Sequence, residues 1–222
     1  MVITINLGNK EIFLSESITS TFIAAIFLII LGFVVRSKLK KAKVNEAPTG
    51  FLNAIEAYVD MVNGLVESTM GKKNMNFAPF IFMLFSFLIV SNLMGLIGLQ
   101  APTADYSVTL ALALVTFTLT QVFGVISSGG VFKYLKGFFE PFALLSPLNF
   151  ISELSNPVSL SFRLFGNILS GGLIMALLHA ALGFLAPIIA PPFHMYFDIF
   201  SGILQAFIFV MLTMVFISDA ID

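Results

Sequence analysis

Apolar runs of helical length alternate with short charged breaks along this chain. Ile18 to Val35 is the first run, and Arg36-Ser37-Lys38-Leu39-Lys40-Lys41-Ala42-Lys43 follows at once. Five positive charges in eight residues mark a cytoplasmic end, so the polar residues 1–17 and the N-terminus lie outside. The run has no basic n-region and no small-residue cleavage site, which predicts a retained helix and not a signal peptide. Residues 51–70 follow another pattern. Phe51, Ile55, Val59, Val62 and Val66 recur at helical spacing, opposite Asn53, Glu56, Asp60, Asn63 and Glu67. This is an amphipathic helix, lying on the membrane or packing against a partner. Its acidic polar face disfavours simple attachment to anionic lipid.

Residues 77–99 and 107–127 are two further spans. The turn Gln100-Ala101-Pro102-Thr103-Ala104-Asp105-Tyr106 joins them outside, and Lys72, Lys73, Lys133 and Lys136 lie at their inner ends. Pro141 and Pro147 break the chain, and Ser146-Pro147 reads as an N-cap with proline at the first helical position. No firm stop follows before about Leu185. Roughly 38 residues at 1.5 Å each reach about 57 Å, against a hydrocarbon core of about 30 Å. Such a helix must tilt, bend or run partly along the membrane. Pro187, Pro191 and Pro192 mark the next turn, and 193–218 is the last helix, ending in the cytoplasm.

The pattern predicts an all-α polytopic membrane protein. It has about five membrane-embedded helices and one amphipathic helix, and its last two (146–185 and 193–218) form a long, strongly tilted hairpin. There is no internal repeat. The Lys-rich segment 36–48 is the one obvious linker, and 1–222 reads as a single membrane domain. Composition agrees: of 222 residues, 58% are hydrophobic and 10% charged, with mean hydropathy +1.01. A soluble domain carries about 25% charged residues. Continuous runs exclude a β-barrel, whose strands alternate. A net charge of -1 with no basic patch gives no sign of nucleic acid. Zero cysteines remove disulfides and thiolate chemistry. Two histidines without a ligand cluster predict no metal site, and nothing resembles a nucleophile elbow or a phosphate loop.

One charge disturbs the picture. Arg163 stands inside Leu160-Ser161-Phe162-Arg163-Leu164-Phe165-Gly166-Asn167-Ile168. Arginine keeps its charge, and at bilayer depth it costs about 2.5–3.5 kcal/mol on insertion scales. At 100° per residue, Ser159 and Asn167 lie one turn from it, Asn156 and Ser170 two turns, and Ser152 three, all on one side. Small polar side chains can glue helices together. A stripe centred on an arginine also fits the wall of a water-filled path. Glu153 lies about 80° off the arginine's direction, as an interfacial carboxylate or part of an ion path. Asp198 and Gln205 share a face of the last helix, with Ser201 between them. With the turn at Pro192, Asp198 is near the outer side and Gln205 is the better match in depth for Arg163. His179 points about 160° away and reads as packing or interfacial, and His194 as solvated. Asp105 caps a helix or marks the mouth of an external path.

Asn156-Pro157-Val158-Ser159-Leu160-Ser161-Phe162-Arg163-Leu164-Phe165-Gly166-Asn167, followed by Leu204-Gln205-Ala206-Phe207-Ile208-Phe209, resembles the subunit a family of the bacterial F-type ATP synthases. Pro102-Thr103-Ala104-Asp105 and the helix from Val108 are similar to the family's external loop. The resemblance covers about 75–222. It implies a non-catalytic stator subunit with two offset half-channels that load and unload H+ or Na+ on the carboxylates of a rotating c-ring. Arg163 would face that carboxylate beside Gln205, with Asn167 on a pathway position. It also implies a multi-pass plasma-membrane location, with c-ring subunits, peripheral-stalk b subunits, the rest of the synthase and lipid as partners. No cofactor is expected, and no small substrate besides the cation. Many relatives carry a carboxylate nine residues after the arginine, paired with a histidine on the last helix. Here those positions are Gly172 and Asp198, and Asp198 is expected to serve the external half-channel. Glu153, Asp105, Ser170, Asn156 and Ser159 complete the candidate set. Competing readings are a secondary transporter or channel for an anionic substrate, and a purely structural anchor.

Overall fold

The computed structural model describes residues 3–7, 10–41, 50–139, 144 and 146–221, without the side chains of 3–7 and 10–14. Pro141 and most of the predicted linker, 42–48, lie outside the described residues. Strands β1 (Ile3–Leu7) and β2 (Lys10–Leu14) pair antiparallel, with Ile3 opposite Leu14 and Leu7 opposite Lys10. This hairpin precedes the helical body. Helix α1 (Glu16–Leu39) starts at Ser15, whose hydroxyl accepts from the Ile18 amide. Large apolar side chains around α1, including Phe22, Ile26, Ile29 and Phe33, are exposed.

Helix α2 (Phe51–Met70) packs within its own chain. Val62, Val66 and Met70 are buried in one core with Ile81, Leu84, Phe85 and Leu88 of α3 (Ala78–Leu93). The Tyr58 hydroxyl pairs with Ser86 Oγ at 3.0 Å, and burial pushes the Tyr58 phenol above its usual value. The predicted polar residues Glu56, Asp60 and Glu67 stay exposed. The core continues through Ala113 of α4 (Tyr106–Ser127), Leu160 and Leu164 of α6 (Ser146–Leu182), and Ala206, Phe209, Val210, Met214 and Ile217 of α8 (Ser201–Ile221). A buried hydroxyl pair, Thr116 and Thr213 at 3.2 Å, joins α4 to α8.

Among the described residues, four helical stretches are long and apolar enough to cross a membrane: Glu16–Leu39, Lys72–Ile97, Tyr106–Ser127 and Ser146–Ile221. The last folds back on itself, which makes five membrane-embedded arms. Helix α6 has 37 residues, about 55 Å of rise, so it must incline, bend or project beyond the core.

The fold-back differs from the expected one. The turn is a 3-10 segment, Gly183–Leu185, entered through Gly183 at φ +51. Left-handed backbone there favours glycine, which ends the helix cleanly. The three prolines lie inside helix α7 (Ala186–His194), which passes through a π turn (Met195–Phe200) into α8. Pro187 sits in the first turn of α7, where its missing N–H has no partner to lose. Pro191 and Pro192 remove two donors, but the helix continues. A short helix missing from the sequence reading, α5 (Val131–Gly137), occupies the loop after α4.

Candidate functional site

Contacts fix the register of the hairpin. Asn167 Nδ2 donates to Ser201 Oγ at 3.0 Å, and a Cβ on Gly171 would stand 3.8 Å from Phe197. Farther out, the His179 and His194 rings lie 5.3 Å apart. The arms are antiparallel, and one more turn inward sets Arg163 level with Gln205. The turn agrees: Arg163 is twenty residues before Gly183, and Gln205 twenty after Leu185.

The two side chains differ in surroundings. Helix α6 buries Pro157, Leu160, Ser161 and Leu164, while Ser152, Ser159, Arg163 and Ser170 are exposed and Asn156 and Asn167 half-buried. The polar stripe therefore faces away from this chain's core. Among the described residues, Arg163 has no carboxylate within ion-pair distance. Gln205 is 4% exposed, and its Nε2 has no hydrogen-bond partner among the described residues. No hydrogen bond joins the two residues.

The sequence reading missed three groups. Asp198 accepts from His194 Nδ1 at 2.5 Å, and His179 lies against His194, so two imidazoles and a carboxylate gather on the outer half of the hairpin. Asn92 is buried. Its Nδ2 donates to the Gly202 carbonyl at 2.8 Å, and its Oδ1 accepts from Thr103 Oγ1 at 2.7 Å. The signal was Ser91-Asn92 inside an apolar run, and Ser91 Oγ is buried without a partner. The third group is Gln121, which donates to Glu153, and Tyr134, which donates to Gln121. Asp105 caps α4, accepting from the Ser107 amide at 2.9 Å. Ser170 Oγ donates to the Asn167 carbonyl at 3.1 Å.

Near the other end, a cleft of about 560 Å³ lies between α4, α5, α6 and α8, with Lys133, Tyr134, Asn149, Ser152, Glu153, Asn156 and Asp219 on its wall. A smaller void of about 10 Å³ lies deeper, beside Thr116 and Leu160. It has room for about one water. Thr120, Glu153, Asn156 and Phe216 line both spaces and form the neck between them. Pro157 cannot donate to the Glu153 carbonyl one turn earlier, which adds a polar oxygen there. Burial, and then the Glu153 charge, push the Tyr134 phenol above its usual value, so its O–H stays a donor at neutral pH.

Such a molecule is a polytopic helical membrane protein of the ion-transport class, with a charged polar stripe turned away from its own core. The relatives agree. The family model of the ATP synthase A chain matches residues 18–218. "ATP synthase subunit a, sodium ion specific" of Propionigenium modestum is 35% identical, covering 92% of this chain and 73% of that protein. ATP synthase subunit a of Trichlorobacter lovleyi is also 35% identical (94% and 88%), and that of Staphylococcus epidermidis 37% (96% and 93%). The chain belongs to the ATP synthase A chain family and is a membrane component of that complex.

Proposed function

We propose that this chain is the ion-translocating, non-catalytic stator of a rotary ATP synthase, with Arg163 separating two half-channels that serve a c-ring. The observation carrying this is Arg163 itself: exposed at mid-hairpin, on an open polar stripe, with no counter-charge among the described residues. A ring carboxylate holding its ion is neutral and can face lipid. Emptied, it is charged, and lipid exposure becomes costly. A fixed guanidinium lowers the energy of the emptied form and so promotes ion release. The same charge repels a cation leaking straight across. Lysine would serve less well, because burial can neutralise it.

Access from the cytoplasm runs through the cleft at Ser152, Glu153 and Asn156. Access from outside uses Asp198, with Asn167 and Ser170 toward the arginine and Asp105 near the mouth. The imidazoles beside Asp198 support that route. The chain sits in the plasma membrane with its N-terminus outside and C-terminus inside, against the c-ring and the b subunits. The transported cation is H+ or Na+. The ring site that binds it is on another chain, so sodium dependence of ATP hydrolysis by the whole complex decides between them.

Arg163→Ala in the reconstituted complex is expected to abolish ion-driven ATP synthesis, and retained synthesis would refute the reading. Asp198→Ala is expected to slow synthesis, and a normal rate would remove Asp198 from the external route.

A further inference from the structure

The neck of the cleft carries a hydrogen-bonded chain of which the pathway above uses only Glu153. Tyr134 Oη on α5 donates to Gln121 Oε1 on α4 at 2.9 Å, and Gln121 Nε2 donates to Glu153 Oε1 on α6 at 2.6 Å. Chemistry fixes this direction. A carboxylate only accepts, so the amide must turn its NH2 toward Glu153. The amide oxygen then faces Tyr134, whose hydroxyl supplies the matching proton. Without that hydroxyl, nothing holds the amide oxygen. The fold also makes room for the tyrosine. A Cβ on Gly124, three residues after Gln121, would stand 2.8 Å from Tyr134 Cε2. Asn149 Nδ2 donates to the Phe138 carbonyl at 2.9 Å, and the Phe138 and Phe150 rings stack at 4.6 Å, tying the end of α5 to α6.

Among the described residues, Glu153 Oε2 takes no hydrogen bond. Glu153 lines both the outer cleft and the inner void, so its carboxylate stands where the two spaces meet. Among the described residues, Lys133 and Asp219 are the other charges on the outer cleft.

We propose that Gln121 is a positioning residue for the neck: braced by Tyr134, it fixes the Glu153 carboxylate so that its open oxygen receives each cation passing between cleft and void. This rests on the ion-pathway reading above. It assigns Gln121, Tyr134 and Gly124 to one device, and the ligand is a small monovalent cation with its water. A charge-assisted hydrogen bond of this kind is stronger than a neutral one. Losing it releases the carboxylate and weakens cation capture at low concentration, while a saturating cation still passes.

The test uses inverted membrane vesicles carrying the complete synthase. ATP-driven uptake draws the cation from the cleft side, and the driving ion is titrated there, as sodium or as protons. Gln121→Met keeps the volume and removes the amide. It is expected to raise the half-saturating cation concentration roughly five- to tenfold with the maximal rate largely kept. Gly124→Ala, which displaces the tyrosine without touching Gln121 or Glu153, is expected to shift it the same way by less. The double variant Gln121→Met/Glu153→Gln should match Glu153→Gln alone, because the two residues act as one unit. Wild-type half-saturation in both Gln121→Met and Gly124→Ala, or additive shifts in the double variant, overturns the proposal. If Gln121→Met fails to assemble, Tyr134→Phe must show the shift or the proposal fails. Arg163→Ala in the same vesicles keeps the two ideas apart. Uptake surviving there sinks the pathway reading itself. Uptake lost there, with Gln121→Met behaving as wild type, sinks only the positioning role.

Discussion

Asn92 joins three segments: its amide holds the Gly202 carbonyl at the start of α8 and the Thr103 hydroxyl in the turn before α4. Asn92→Ala would leave the Thr103 hydroxyl buried and unpaired, at about 1–3 kcal/mol, and would remove the tie to the Gly202 carbonyl, which keeps its bond within the α8 ladder. The variant is expected to lose thermal stability of the membrane sector, read as dissociation of this subunit from detergent-solubilised complex at lower temperature. Retention at the wild-type temperature would show that water replaces the amide. The sequence exposed Asn92 only as a polar residue in an apolar run. Its partners lie 11 and 110 residues away, beyond any local pattern. Arg163 and its stripe were legible because helical periodicity alone sorts Ser159, Asn167 and Ser170 onto one side. The gathering of His179, His194 and Asp198 was not. It depends on where the hairpin folds, and a turn placed at Pro192 leaves His194 in solvent with no histidine across from it.

At the scale of elements, the sequence places the fold at its three prolines, yet the chain reverses at Gly183, where the backbone is left-handed. A Cβ there would meet no atom within 4 Å, so the constraint is conformational and not steric crowding. Gly183→Ala is therefore expected to cost about 1 kcal/mol or more in the turn and to loosen the His179–His194 contact. Faster amide exchange across 178–190 in the assembled complex would show it, and unchanged exchange would mean the turn tolerates the strain. Other elements were readable. The apolar face of α2 is spaced for a helix, although its cover, α3 and α8 of the same chain, could not be read from that face. Ile3-Thr4-Ile5-Asn6-Leu7 alternates before Gly8-Asn9, a hairpin signal carried by a segment that reads as polar. Helix α5 is too short for periodicity to register.

The whole molecule presents two kinds of surface. Around α1 it is uniformly apolar, suited to lipid. Along α6 it carries the polar stripe, which the proposed function assigns to a partner chain. With zero cysteines in the sequence, single thiols report this cleanly. Ser159 is exposed on the stripe and Ser161 fully buried. Ser159→Cys is expected to react with a membrane-permeant maleimide in the isolated subunit and to be protected in the assembled synthase, while Ser161→Cys stays unreactive in both. Equal labelling of Ser159→Cys in the two states would mean that no partner covers the stripe.

The π turn at Met195–Phe200 has a consequence for timing between the arms. A π turn closes its hydrogen bonds one residue later than an α turn, so it inserts one extra step. Every residue beyond it is rotated by about 100° relative to an unbroken helix. Gln205, Phe209, Thr213 and Ile217 point inward only with that offset in place. The turn thus works as an indexing tooth: straightening it into an α turn at unchanged length would swing the glutamine away by about 100°, whereas deleting one residue as it straightens would return the glutamine to its present direction.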